Sequence, residues 1–178
     1  MASEIYFTRH GQTVWNVENK ICGATDSPLT ELGRRQAAEL GQKIRAEKLP
    51  IDCILCSPLS RAADTARCIA AETGLPLTVE PRLMEQNFGR FEGTPRDGAE
   101  FSTAKANFVE SFGGGESMLR VAARIYTLLD ELRGRSETCL LVAHNGIARV
   151  VNSYFYDMTN TEYAAFGIRN CEIRRYTF

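Results

Sequence analysis

Short apolar runs alternate with amphipathic stretches along the chain. Ile5-Tyr6-Phe7-Thr8, Cys53-Ile54-Leu55-Cys56, a weaker Leu77-Thr78-Val79 and Cys139-Leu140-Leu141-Val142-Ala143 read as strands. Several are apolar on both faces, as in a parallel sheet covered by helices on each side. Between them, Ala37, Leu40, Gly41 and Ile44 mark one helix face. Met118, Val121, Ala122, Ile125, Leu128, Leu129 and Leu132 mark a second helix that stops near Gly134, and Ile147, Val150, Val151, Tyr154 and Phe155 mark a third. Ser57-Pro58 reads as an N-cap followed by Pro at the first helical position, with Gly74 as the stop. The tail segments Ala165-Phe166-Gly167-Ile168 and Ile173-Arg174-Arg175-Tyr176 are expected to pair antiparallel, turning at Arg169-Asn170. The pattern specifies an α/β architecture with a mostly parallel sheet and an antiparallel edge strand.

One stretch breaks the alternation. From Glu92 to Gly115 the chain is loop-like, then Phe101, Ala104, Phe108 and Phe112 predict a short amphipathic helix closed by Gly113-Gly114-Gly115. The segment at about 92–115 reads either as a lid over a site or as a surface excursion packed by its phenylalanines.

Composition narrows the function classes. A chain of 178 residues, 44% hydrophobic and 24% charged, suits one globular domain, here 1–178. With 21 Lys+Arg against 22 Asp+Glu, a broad nucleic-acid or anionic-membrane surface is not expected, whereas a small cationic pocket is allowed. No apolar run reaches the ~20 residues that span a bilayer. Met1-Ala2-Ser3-Glu4-Ile5 shows no basic start or long apolar run, so no export leader is expected and the expected setting is cytoplasmic. Cys53 and Cys56 form a C-x-x-C, but on a strand residues three apart face opposite ways. No second cysteine pair completes a zinc set, so buried thiols are expected and no metal.

Ligands of open α/β sheets bind beyond the carboxyl ends of the strands. Those positions hold Arg9-His10-Gly11, Ser57-Pro58-Leu59-Ser60-Arg61 and His144-Asn145-Gly146, so both histidines of the chain fall there. Arg9 and Arg61 offer planar forks of donors that match phosphate oxygens, and Arg61 falls in the first turn of a helix, where free N–H groups also favour an anion. An imidazole held neutral beside such cations is a nucleophile towards phosphorus.

Arg9-His10-Gly11, Ser57-Pro58-Leu59-Ser60-Arg61-Ala62, Glu85-Gln86-Asn87-Phe88-Gly89-Arg90-Phe91-Glu92-Gly93 and the late His144 together resemble the histidine phosphatase superfamily. The likeness is greatest to the branch holding cofactor-dependent phosphoglycerate mutases and related phosphatases, and runs from about Ile5 to Tyr156. The resemblance implies a three-layer α/β/α sandwich and a metal-independent phosphohistidine mechanism without a cofactor. It makes His10 the nucleophile, and Arg9, Arg61 and a protonated His144 the binders of the phosphoryl group. Glu85 becomes the general acid and then the base. Neighbouring arginines favour an ionised carboxylate and an arriving phosphate dianion a protonated one, so the acid role of Glu85 is expected mainly with substrate bound.

Asn16 matches a phosphate-holding position, and Gln12, Thr13 and Gly23 lie in the corresponding substrate-side loop. Each also has a structural reading: a turn for Asn16, a helix cap for Thr13, backbone geometry for Gly23. Asp26 reads as turn chemistry, and Glu92 as either an entrance residue or a structural one. Asn145 stands where many relatives have Gly, which leaves open the backbone contacts of Asn145 and Gly146. A mutase needs several cations near its cap. The segment from Gln86 to Leu119 has Arg90, Arg96 and Lys105 against five acids, with Lys20 and Arg149 the candidates to contribute through space. The expected activity is therefore hydrolysis of a small phosphomonoester, with a partly apolar leaving group allowed by the five phenylalanines from Phe88 to Phe112. A mutase and a non-catalytic phospho-ligand binder are the alternatives. The small phosphorylated substrate is the one expected partner, and the oligomeric state is not specified.

Overall fold

The computed structural model describes residues 4–178. Residues 1–3, which carry part of the leader reading, lie outside the described residues. Strand β1 (Glu4–Arg9) leads through a one-turn helix α1 (Val14–Val17) to α2 (Glu31–Ala46). Then come β2 (Cys53–Cys56), α3 (Ser60–Thr73), β3 (Leu77–Val79), α4 (Ala99–Ala104) and α5 (Met118–Arg133). The chain closes with β4 (Cys139–Ala143), α6 (Asn145–Phe155), α7 (Asn160–Ala165) and β5 (Ile173–Thr177). Sheet order is β3-β2-β4-β1-β5, parallel except for the edge pair of β1 with β5.

Alternation along the strands builds a core on each side of the sheet. Ile5, Phe7, Leu55, Cys139 and Leu141 face α5 and α6, while Tyr6, Ile54, Cys56, Leu140 and Val142 face α2 and α3. Phe7 is fully buried, and truncating such a ring to Ala costs about 3–5 kcal/mol. The two-sided apolar runs are thus accounted for, and Cys53 and Cys56 do point into opposite cores. All six cysteines are free, and the Cys53 thiol rests on Cys139 of the neighbouring strand.

Three local expectations are corrected. The tail does not fold on itself: β5 pairs with β1, Ile5 opposite Tyr176, because the open edge of β1 offers a full ladder. Residues 160–165 instead form α7, set by a capping box between Thr159 and Glu162. Helix α3 begins at Ser60 with Leu59 as N-cap, so Ser57 is not its cap, and the left-handed Gly74 ends it as expected. The phenylalanine-spaced helix stops at Ala104, and Phe112 adopts φ 57° in a loop. Phe88, Phe91, Phe101 and Phe112 nonetheless pack with Ile21 as a third small core that fixes the 92–115 segment. Among the described residues no helix is long and apolar enough to cross a membrane.

Candidate active site

The ends of β1, β2 and β4 carry the ladder one residue further. The amide of His10 donates to Ala143 O at 3.0 Å, and that of Ser57 to Val142 O at 3.0 Å. His10, Ser57 and His144 are therefore set side by side by backbone pairing. Gly11 is required there: a Cβ would lie 2.3 Å from the Gly33 carbonyl oxygen at the start of α2. Its amide donates to Thr65 of α3 at 3.0 Å, which ties the turn to a second helix.

His10 is buried, and its Nδ1 lies 2.7 Å from the carbonyl oxygen of Gly11. A carbonyl only accepts, so Nδ1 carries the proton and Nε2 keeps its lone pair. Burial first, then the charges of Arg61 and Arg9, hold the imidazole pKa well below 6.5. The ring is a neutral base at neutral pH. His144 stands against it, ring centroids 5.2 Å apart, with Nε2 2.7 Å from Ser57 Oγ. Burial first, then Arg61, also hold the His144 pKa well below 6.5, and an entering anion acts in the opposite direction.

Arg61 is fully buried. Its Nη2 donates to Gly23 O at 2.6 Å, and its Nη1 to Thr25 O at 3.0 Å and Asp26 Oδ1 at 3.1 Å. Asp26 also accepts the Ser60 amide, so it supplies the cap that α3 lacks from its own N-cap residue. The loop that receives Arg61 is held from outside by Glu92. Its carboxylate accepts the amides of Gly23, Ala24 and Thr25, each at 3.1 Å, and of Phe88 at 2.8 Å. The open reading of Glu92 resolves as structural.

Glu85 is 5% exposed, and its carboxylate accepts from the amides of Gln86 and Gly146, both at 2.9 Å. Gly146 is Gly because a Cβ would meet Glu85 Oε1 at 2.4 Å. Asn145 beside it lines the pocket while its Oδ1 holds the Ile168 amide at 3.0 Å. The pocket itself, about 80 Å³, is walled by Arg9, His10, Asn16, Glu85, Asn145 and Gly146, with Arg96, Lys105 and Arg149 towards the cap. A water needs roughly 10–15 Å³ of such space, so the pocket admits a phosphoryl group and little more.

Gln12, Thr13 and Gly23 do not line it. Gln12 accepts from Thr30 at the start of α2, Thr13 caps α1, and Gly23 holds Arg61. Asn16 reaches the pocket and also closes the Thr13 capping box. The acidic reading of the cap does not hold at the pocket: Glu100 and Glu110 pair with Arg90, and Glu116 with Arg124. That leaves Arg96 and Lys105 facing the cavity. Asn170, which donates to His10 O at 2.8 Å, was not legible in the sequence, because nothing near it in the chain signals catalysis. Among the described residues, no group of three His, Cys, Asp or Glu side chains is placed to hold a metal.

A profile of the histidine phosphatase superfamily (branch 1) matches residues 5–178. The chain belongs to that superfamily. A Yersinia pestis (strain Pestoides F) protein described as probable phosphoglycerate mutase GpmB is 35% identical over 182 residues, covering 97% of this chain and 83% of its own. Among solved structures, mycobacterial glucosyl-3-phosphoglycerate phosphatase in complex with VO3 superposes with a TM-score of 0.82 at 30% identity, over 98% of this chain and 90% of that one. A structure titled mycobacterial hydrolase 1 gives 0.86 at 29%, over 98% and 91%. The superfamily thus includes both a mutase-named relative and a phosphatase, on the same fold.

Proposed function

We propose that the protein is a phosphomonoester hydrolase that works through phosphorylation of His10. One observation carries this reading. Among the described residues, three buried side-chain nitrogens have no hydrogen-bond partner: Arg9 Nε, Arg61 Nε and His144 Nδ1. A buried donor or acceptor left unpaired costs about 1–3 kcal/mol, and more when charged. That all three belong to residues grouped around one neutral imidazole marks a place built for an anion.

The chemistry follows from the groups present. His10 Nε2 forms a bond to phosphorus while the bond to the leaving oxygen breaks, and Glu85 gives that oxygen a proton. The dianion raises the proton affinity of His144, so its Nδ1 becomes a donor as charge builds on the phosphoryl oxygens. Water then attacks the phosphohistidine, Glu85 takes its proton, and phosphate leaves with His10 neutral again. Exposed residues such as Ser102 and Asn107 border the space beyond Lys105, which gives water a route to the intermediate and supports hydrolysis.

The cations Arg96, Lys105 and Arg149, together with the mutase-named relative, favour one second reading, a phosphoglycerate mutase. A phosphomonoester panel scored by kcat/KM, with and without a chelator, separates them when 3-phosphoglycerate is included with and without 2,3-bisphosphoglycerate. Chelator-resistant phosphate release that His10→Ala abolishes supports the hydrolase. Isomerisation stimulated by the bisphosphate would replace it with the mutase.

A further inference from the structure

Behind the phosphoryl pocket lies a second, larger chamber of about 400 Å³. Phe88, Lys105 and Arg149 line both spaces, so they form the neck between them. Beyond the neck the walls are mostly apolar. Phe108 and Tyr163 meet edge to face at 5.7 Å, Phe112 is buried beside them, and the Tyr163 hydroxyl donates to the Met118 sulfur at 2.7 Å. Two of the polar groups there have partners already: Gln86 donates to Glu116 O at 2.9 Å and Asn107 to Glu110 at 3.0 Å.

The neck has the opposite character. Lys105 lies over the Phe101 ring at 5.4 Å, and Arg149 donates to the Phe166 carbonyl at 2.7 Å; neither has a carboxylate partner among the described residues. Glu85 is the one carboxylate on either wall, and two backbone amides occupy it. Burial first, then Arg149 and Arg96, push the Lys105 pKa down to about 8. Two cations crowded at a constriction, with Glu85 the one carboxylate near both, are stabilised further by an anion entering between them.

Resting on the hydrolase reading, we propose that the leaving group of the substrate passes between Lys105 and Arg149 into this chamber. The substrate is then an organic phosphate whose alcohol bears a carboxylate or similar anion close to the phosphoester, and a flat or apolar body beyond it. A three-carbon acid phosphate would fill the neck and leave the chamber to water, so the proposal separates larger substrates from phosphoglycerate itself.

The test compares phenyl phosphate, 3-phosphoglycerate and a carboxynaphthyl phosphate on wild type, Lys105→Met and Ala164→Trp. Ala164 is exposed on α7 at the chamber wall, so the indole fills the space without disturbing a core. The carboxynaphthyl ester is expected to exceed the other two by about tenfold in kcat/KM. Ala164→Trp removes that advantage and leaves phenyl phosphate within about twofold, while Lys105→Met lowers the carboxylated substrates several-fold more than phenyl phosphate. Equal loss on all substrates in Ala164→Trp, or 3-phosphoglycerate as the best of the three, overturns the proposal. Should none of them turn over, the hydrolase reading fails. The chamber is then judged by calorimetric binding of phenylphosphonate against carboxynaphthyl phosphonate, where equal affinity overturns it.

Discussion

Replacing Glu92 by Ala tests the link from a residue outside the pocket to Arg61, the arginine proposed to bind phosphate. The substitution removes the acceptor for four amides, of which Gly23 and Phe88 belong to buried residues. Hydrogen bonds to a charged acceptor contribute about 1.5–3 kcal/mol each, so the two buried bonds set a loss of about 3–6 kcal/mol. The Ala24 and Thr25 amides are less buried, recover water and add little. For a chain of this size each kcal/mol shifts Tm by about 2–4 °C, giving a fall of about 6–24 °C in thermal unfolding. Function should fall with it, since Gly23 O and Thr25 O are the carbonyls that orient Arg61. The inhibition constant for inorganic phosphate therefore rises, measured well below the lowered Tm. Glu92→Gln keeps one acceptor oxygen but turns an NH2 towards N–H donors, so it should be intermediate. A Tm for Glu92→Ala within about 2 °C of wild type would refute the reasoning.

Two further predictions concern the catalytic groups. Gly146→Ala places a methyl 2.4 Å from Glu85 Oε1 and must displace the carboxylate. Such a misplacement should lower kcat by about a hundredfold on alkyl phosphates but much less on p-nitrophenyl phosphate, whose leaving oxygen needs no proton; equal losses would remove Glu85 from the acid role. His10 and His144 have folded-state pKa values lowered below 6.5, so the unfolded chain binds their protons first on acidification. Their contribution to stability is complete above about pH 6.5 and is lost as pH falls towards the lowered values, each steepening the decline by up to about 1.4 kcal/mol per pH unit. Urea unfolding across that range should show a shallower decline in a His10→Asn, His144→Asn protein, and parallel declines would count against buried neutral imidazoles.

Much of the fold was legible because parallel strands buried on both faces leave continuous apolar runs, as in β1, β2 and β4. The candidate site was legible because the ends of parallel strands are where ligands bind, and both histidines fall there. What the sequence did not disclose is fixed by contacts distant in the chain. Asp26 caps a helix that begins at Ser60, Glu92 grips residues 23–25, and Asn170 holds the carbonyl of His10. Counting charges in the cap misjudged its electrostatics, since the carboxylates of Glu100, Glu110 and Glu116 pair with arginines while Arg96 and Lys105 turn inward.

The central claim is that His10 Nε2, freed by the Nδ1 contact to Gly11, takes the phosphoryl group. Rapid mixing with a turned-over substrate, quenched in alkali to preserve phosphohistidine, followed by mass spectrometry of the peptide around residue 10, measures this directly. The account predicts one added phosphoryl group on His10, formed faster than steady-state turnover and absent in His10→Ala. Full phosphate release by His10→Ala, or a label on any other residue, would contradict it.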